Sequence, residues 1–271
     1  MQNSMAGWLI VTDMDGTLLT TDKHISKENL EAIDRFRSKG GKFTVATGRS
    51  IPSLEHYVEE LKLDTPTILY NGGAVYDYKS RKMLWHSLLN QTARAYLQDV
   101  YDRFPSVGIE ILMEDCIYVV RLNDIVSKHL DTEKLAYVIT TLDEVPKDGW
   151  FKALFALQPS EMDEFESYLL SKGYPDVTFV RSFTHYFEML PKGCSKGGAL
   201  KHLSAFTGVP VDHIVAIGDY YNDYEMIRKA GIGVTVENAP QDLKDIARMV
   251  VCHNDDHALA DLIEKLEQLV C

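Results

Sequence analysis

The chain has 271 residues, 45% hydrophobic and 10% aromatic, enough to bury one large core or two smaller ones. A charged fraction of 25% and nine prolines exclude a collagen-like, low-complexity or disordered chain. With 28 Lys+Arg against 40 Asp+Glu the formal charge is −12, which argues against nucleic acid or an anionic membrane as a partner, so a phosphate-bearing ligand needs a local device such as a metal ion or one well-placed lysine.

The first third alternates short apolar runs with helical segments. Trp8–Thr12 reads as a buried strand, Lys27–Lys39 as a helix, Lys42–Ala46 as a second strand, Pro52–Leu63 as a helix and Thr67–Tyr70 as a third strand. Ser26 is a candidate N-cap, and Gly40-Gly41 a helix stop. This alternation predicts a parallel sheet covered on both faces.

The middle differs. Ile109–Met113 and Ile117–Leu122 flank a short link and read as a hairpin. Phe151–Gln158 is another apolar run, followed by an amphipathic helix through Ser171, and Val177–Ser182 with Tyr186–Leu190 form a second strand pair. This composition predicts an α+β insert over residues 83–190, with hinges near Arg81–Leu84 and Pro191-Lys192-Gly193. The last third resumes the α/β rhythm: Ser195–Phe206 helical, His213–Ile217 extended, Tyr221–Lys229 helical, Ile232–Val236 extended. Gln241–Ala247 then reads as helix, Met249–Cys252 as extended and Asp255–Leu269 as a closing helix.

Cys116, Cys194, Cys252 and Cys271 lie far apart without a CxxC pair, and are expected as thiols in a reducing compartment. The start MQNSMAGWLIV lacks a basic leader and runs into Asp13, so a cytoplasmic protein is expected.

Two acidic clusters follow predicted strands. In Asp13-Met14-Asp15-Gly16-Thr17, two carboxylates at i and i+2 can turn toward one point beyond the strand's carboxyl end, where open parallel sheets bind ligands. Hard oxygen donors of this kind suit Mg²⁺; an acidic turn capping a helix is the alternative. In Gly218-Asp219-Tyr220-Tyr221-Asn222-Asp223, helix capping accounts for one acidic residue but poorly for three oxygen donors. Thr47-Gly48-Arg49 follows the second strand, where a hydroxyl, backbone N–H groups and a helix start favour an anion. Lys196, in Gly193-Cys194-Ser195-Lys196-Gly197-Gly198, opens a helix against the macrodipole, which favours a functional use for it.

The motifs DMDGT, TGR, GCSKGG and GDYYND, in this order and spacing, resemble those of the haloacid dehalogenase superfamily, and within it the Cof-type phosphatases, whose cap domain is inserted between the second and third motifs. Asn71-Gly72-Gly73 and Glu237-Asn238-Ala239 extend the likeness, while Tyr220-Tyr221 stands where many relatives carry smaller residues. The resemblance implies an α/β Rossmann-like core of residues 1–82 and 191–271, a mostly parallel sheet with helices on both faces, carrying an α+β cap of residues 83–190. It further implies Asp13 as nucleophile, Asp15 as acid and base, and Thr47 and Lys196 as phosphoryl-binding residues. Mg²⁺ would be held by Asp13, the Asp15 carbonyl, Asp219 and Asp223. Substrate contacts are expected from Gly48, Arg49, Asn71 and Asn222, with Asn238 and the cap residues Arg181, His185 and Tyr186 as further candidates and Glu188 as a hinge residue. The expected activity is Mg²⁺-dependent hydrolysis of a small phosphorylated metabolite, with sugar phosphate first and nucleotides, FMN and pyridoxal phosphate as alternatives. The expected assembly is a monomer or weak homo-oligomer. A phosphomutase with the same phosphoenzyme is the competing enzyme; its relatives carry a longer glycine-rich stretch between the equivalents of Asp219 and Asn222. A non-catalytic phospho-ligand-binding module is the third reading, and the filled nucleophile, acid and cation positions argue against it.

Overall fold

A computed structural model of the chain describes residues 5–133 and 136–269. Cys271 and the first four residues, including the start of the segment read for a leader, lie outside the described residues. Among the described residues Cys116, Cys194 and Cys252 form no disulfide. Among the described residues no helix is long and apolar enough to cross a membrane.

The chain begins with β1 (Leu9–Thr12), α1 (Lys27–Ser38), β2 (Lys42–Val45), α2 (Ile51–Val58), β3 (Thr67–Leu69), β4 (Ala74–Asp77) and β5 (Lys82–His86). The side chain of Ser26 accepts from the Asn29 N–H and starts α1 where predicted. Next come α3 (Thr92–Arg103), β6 (Gly108–Leu112), β7 (Ile117–Arg121), α4 (Asp124–Glu133), β8 (Tyr137–Ile139), β9 (Lys152–Ala156), α5 (Met162–Lys172), β10 (Val177–Phe183) and β11 (Tyr186–Pro191). The chain closes with α6 (Lys196–Thr207), β12 (Ile214–Gly218), α7 (Tyr224–Lys229), β13 (Ile232–Val236), α8 (Gln241–Ile246), β14 (Met249–Val251) and α9 (Ala258–Leu269).

The chain divides into two compact units. One contains residues 1–47, 57–85 and 195–271; the other contains residues 48–56 and 86–194. The first is built on a parallel sheet in the order β14-β13-β12-β1-β2. Every residue of β1, β12 and β13 is buried, as strands covered on both faces require. Leu9, Val11, Ile214 and Ala216 pack with Ala199 and Leu203 of α6 on one side. A parallel bridge between Ala46 and Ile68 brings β3 alongside, and β3, β4 and β5 form a small sheet of their own. The fold is the expected α/β core.

The second unit holds a six-stranded sheet in the order β10-β11-β9-β6-β7-β8, antiparallel except for β7 against β8. Both predicted hairpins are present as β6–β7 and β10–β11. Ile109, Ile111, Phe155 and Phe187 pack with Leu97 of α3 and Phe165 of α5. The alternate positions on the same strands carry charge: Glu110 and Glu188 both stand opposite Leu154, so they share the other face. Glu110 pairs with His129 of α4 at 2.9 Å, and Lys152 with Glu188 at 2.9 Å.

Several elements depart from the sequence reading. Helix α2 ends at Val58, and the remainder to Leu63 turns with Lys62 at φ +49°. Arg81–Leu84, expected as a hinge, is a turn with Arg81 at φ +53° leading into β5, and the first unit runs on to Trp85. The segment Gly48–His56 groups with the second unit, although the core was expected to include it. Helices α3 and α4 and strand β8 were not among the expected elements; α3 buries Ala93, Leu97 and Val100, and β8 is exposed throughout. Glu188, expected at a hinge, lies within β11 and is buried against Lys152.

Candidate active site

Strand β1 delivers Asp13. Its N–H donates to the Ile217 carbonyl at 2.8 Å, so the residue is still zipped to β12 as the chain turns away. The turn needs Gly16: its φ is +83°, and a Cβ there would lie 2.4 Å from Asp219 Oδ2. Thr17, fully buried, donates from its hydroxyl to Asp219 Oδ1 at 2.9 Å. The DMDGT loop is thereby fastened to the loop after β12. The Asp15 carboxylate accepts from Lys23 Nζ at 2.7 Å.

Strand β12 delivers Asp219 and Asp223. The Asp223 carboxylate accepts from the backbone N–H groups of Asp219 at 3.0 Å and Tyr220 at 3.3 Å, an N-terminal cap that leaves its other oxygen facing inward. The Thr235 hydroxyl holds the Gly218 carbonyl at 2.7 Å. Helix α6 delivers Lys196 from its first turn. Ser195 caps that helix by accepting from the Gly198 N–H at 2.8 Å, and its hydroxyl also donates to Glu225. Gly72 (φ +93°) lets the loop after β3 approach, since a Cβ there would collide with the Ser195 carbonyl.

These three loops place Lys196 Nζ 2.5 Å from Asp13 Oδ1 and 2.6 Å from Asp223 Oδ1, with the lysine wholly buried. Asp13, Asp219 and Asp223 each offer an oxygen within 4.8 Å of the other two. Burial opposes the ammonium, but Asp13 and Asp223 override it and hold Lys196 protonated beyond the usual lysine range. Burial, with repulsion from Asp223, outweighs Lys196 at Asp13 and pushes its carboxyl up to about 7. Asp219 is likewise raised well above the usual carboxylate range, by burial first and then by Asp13 and Asp223. Three buried carboxylates face one ammonium, so the cluster is short of positive charge.

The other expected residues are distributed as follows. Asn71, buried and left-handed at φ +52°, donates its N–H to the Thr47 carbonyl at 3.0 Å and accepts from Asn222 Nδ2 at 3.0 Å. Asn222 Oδ1 is buried without a hydrogen-bond partner among the described residues. Gly48 and Arg49 group with the second unit, where Arg49 donates to Ser53 Oγ at 3.1 Å. Asn238 donates to the Gly16 carbonyl at 2.8 Å and so supports the nucleophile loop. In the second unit Arg181 is held by Asp163 and Glu166 at 2.6 Å each, and Tyr186 tilts against His129. The sequence reading gave no role to Thr17 or Lys23. Thr17 sits inside the motif that carried the signal, whereas Lys23 has no motif to mark it.

A divalent cation fits the donor set. Hard carboxylate oxygens from Asp13, Asp219 and Asp223 converge, with Lys196 as the one cation bonded to them among the described contacts.

A family model for haloacid dehalogenase-like hydrolases matches residues 10–263. A phosphatase of Bacillus subtilis, YwpJ, is 29% identical over 286 residues, covering 95% of this chain and 99% of its own. An HMP-PP phosphatase of Yersinia pseudotuberculosis is 29% identical over 237 residues, covering 87% of this chain and 86% of its own. Among solved structures, a haloacid dehalogenase-like hydrolase from Bacteroides thetaiotaomicron superimposes with a TM-score of 0.81 at 28% identity, over 96% of this chain and 99% of that one.

Proposed function

We propose, for a chain that belongs to the haloacid dehalogenase-like hydrolases and is a phosphatase of their Cof type, that it hydrolyses a small phosphorylated metabolite through an aspartyl-phosphate on Asp13, with Mg²⁺ as cofactor. The observation that carries this reading is the placement of Asp13 at the carboxyl end of β1, 2.5 Å from a buried lysine and within 4.8 Å of two further carboxylates.

Asp13 attacks phosphorus as the bond to the leaving oxygen breaks, and Asp15 gives that oxygen its proton. Water then attacks the acyl-phosphate while Asp15 takes the water proton, which restores Asp13 and releases phosphate. Lys196 and Thr47 hold phosphoryl oxygens as charge redistributes between the attacking and departing groups. Asp13, the Asp15 carbonyl and Asp219, with Asp223 assisting, would hold Mg²⁺, which would supply the charge that lets two anions meet. Gly48, Arg49, Asn71 and Asn222 contact the rest of the substrate, and the unpartnered Asn222 Oδ1 is suited to a hydroxyl donor. The α+β unit of residues 86–194 corresponds to the cap domain that the family resemblance implies, and a sugar phosphate is the first substrate class.

The test is phosphate release across a panel of sugar phosphates, nucleotides, FMN and pyridoxal phosphate, with magnesium and with a chelator. Magnesium-dependent release from at least one is expected. Transfer to a second hexose phosphate without net release would replace the hydrolase by a mutase.

A further inference from the structure

Asp15 is less buried than Asp13, Asp219 and Asp223. Its side chain is 32% exposed, and the ammonium of Lys23, eight residues on, lies 2.7 Å from its Oδ1. The chain between them is built to make that reach. Leu19 and Ile25 form an antiparallel bridge, the Thr20 N–H donates to His24 and the Lys23 N–H donates to Thr20, both at 2.9 Å. The Tyr57 hydroxyl donates to the Lys23 carbonyl at 3.5 Å. Lys23 itself sits at φ +64°, a left-handed conformation that glycine or asparagine adopts more easily. An exposed ion pair contributes little to stability, so a strained lysine at this tip is not explained by folding.

We infer that Lys23 is a positioning residue, whose ammonium aims the Asp15 carboxylate at the water that hydrolyses the phosphoenzyme. Lysine has three donors and no acceptor, so it orients a carboxylate, the form that receives the water proton, and not the acid form used in the first half-reaction. In the assisted step the water oxygen bonds to phosphorus, the phosphorus–oxygen bond to Asp13 breaks with its electron pair returning to Asp13, and the proton passes to Asp15. The inference rests on the reading of Asp15 as acid and base given above.

The substrate for the test is ³²P-labelled 4-nitrophenyl phosphate with magnesium, since nitrophenolate leaves without a proton and isolates the second half-reaction. Lys23→Met is expected to lower kcat about tenfold, a part of the 10²–10⁴ typical of acid–base groups, and to leave kcat/KM nearly unchanged. Labelled phosphoenzyme accumulates on acid quench, and Lys23→Arg restores most of the turnover. Lys23→Met with wild-type kcat, or with kcat and kcat/KM falling together, overturns the inference if Asp15→Asn still accumulates phosphoenzyme. Asp15→Asn without accumulation overturns the acid–base reading first, and the role of Lys23 falls with it.

Discussion

Lys196 Nζ and Asp223 Oδ1 stand 2.6 Å apart, both side chains fully buried, although 27 residues separate them in the chain. The ammonium is the one cation bonded to this carboxylate cluster among the described contacts, and removing it leaves Asp13, Asp219 and Asp223 to repel one another away from water. Lys196→Met is therefore expected to destabilise the protein in chelator at pH 8 by about 3–5 kcal/mol, the usual result of breaking a buried pair from one side. An unchanged urea midpoint would show that the cluster does not depend on the lysine.

Asp13→Asn removes one of the crowded carboxylates and keeps the shape. Phosphate release should cease, because an amide cannot attack phosphorus, while the urea midpoint in chelator at pH 8 stays level or rises. More than a trace of activity would remove Asp13 from the nucleophile's role.

The raised carboxyls set a pH dependence. Asp13 titrates near 7 in the folded protein, against 3.8 for the unperturbed group, because burial and Asp223 outweigh Lys196. Between those values the folded state keeps a proton that the unfolded chain has released, so stability in chelator falls as pH rises through that window; Asp219 acts in the same direction. His202 acts oppositely, since burial and Lys201 lower its imidazole below 6.5. On the proposed reading magnesium would bind the ionised carboxylates and leave His202 alone, so the rise in Tm that it produces would isolate the cluster. That rise should be small at pH 5 and largest at pH 8, and an increment equal at both would refute the account.

Gly16 permits the closest approach between the two acidic loops. Gly16→Ala would set a Cβ 2.4 Å from Asp219 Oδ2 at φ +83°. The expected result is a loss of about 1–3 kcal/mol of stability, together with a clear increase in the magnesium concentration that gives half-maximal activity. Titration of activity with magnesium checks it, and an unaltered midpoint would separate Asp219 from metal binding.

In the second unit Glu188 is held by Lys152 at 2.9 Å and by the Ser182 hydroxyl at 2.7 Å. Lys152→Met should destabilise by about 3–5 kcal/mol, and adding Glu188→Met should recover much of that, because the uncompensated charge is then gone. Additive losses in the urea midpoints of the two single variants and the double variant would show that the two side chains are not coupled.

Local chemistry was legible in the sequence wherever neighbours in the chain decide the outcome. The buried run before Asp13, the cap at Ser26 and the hairpin after Leu112 follow from side-chain period and turn propensity over a few residues. Helix α3 went unread although Ala93, Leu97 and Val100 stand at helical spacing, and β8 gave no signal because neither face is buried. The charges on the second unit's sheet were visible as residues, but their pairing was not. Glu110 and Glu188 share a face only because β6 and β11 flank β9 in matched register.

The amino-acid order by itself determined which loops carry carboxylates and which helix opens on a lysine, since each motif is written within a handful of adjacent positions. Tertiary structure alone decided that Asp13 and Asp223 crowd one lysine out of reach of water, and that Lys23 curls back to Asp15. In an unfolded chain these groups are separated and solvated. Their repulsion, raised proton affinity and demand for a cation arise once β1 and β12 lie side by side and α6 closes over them.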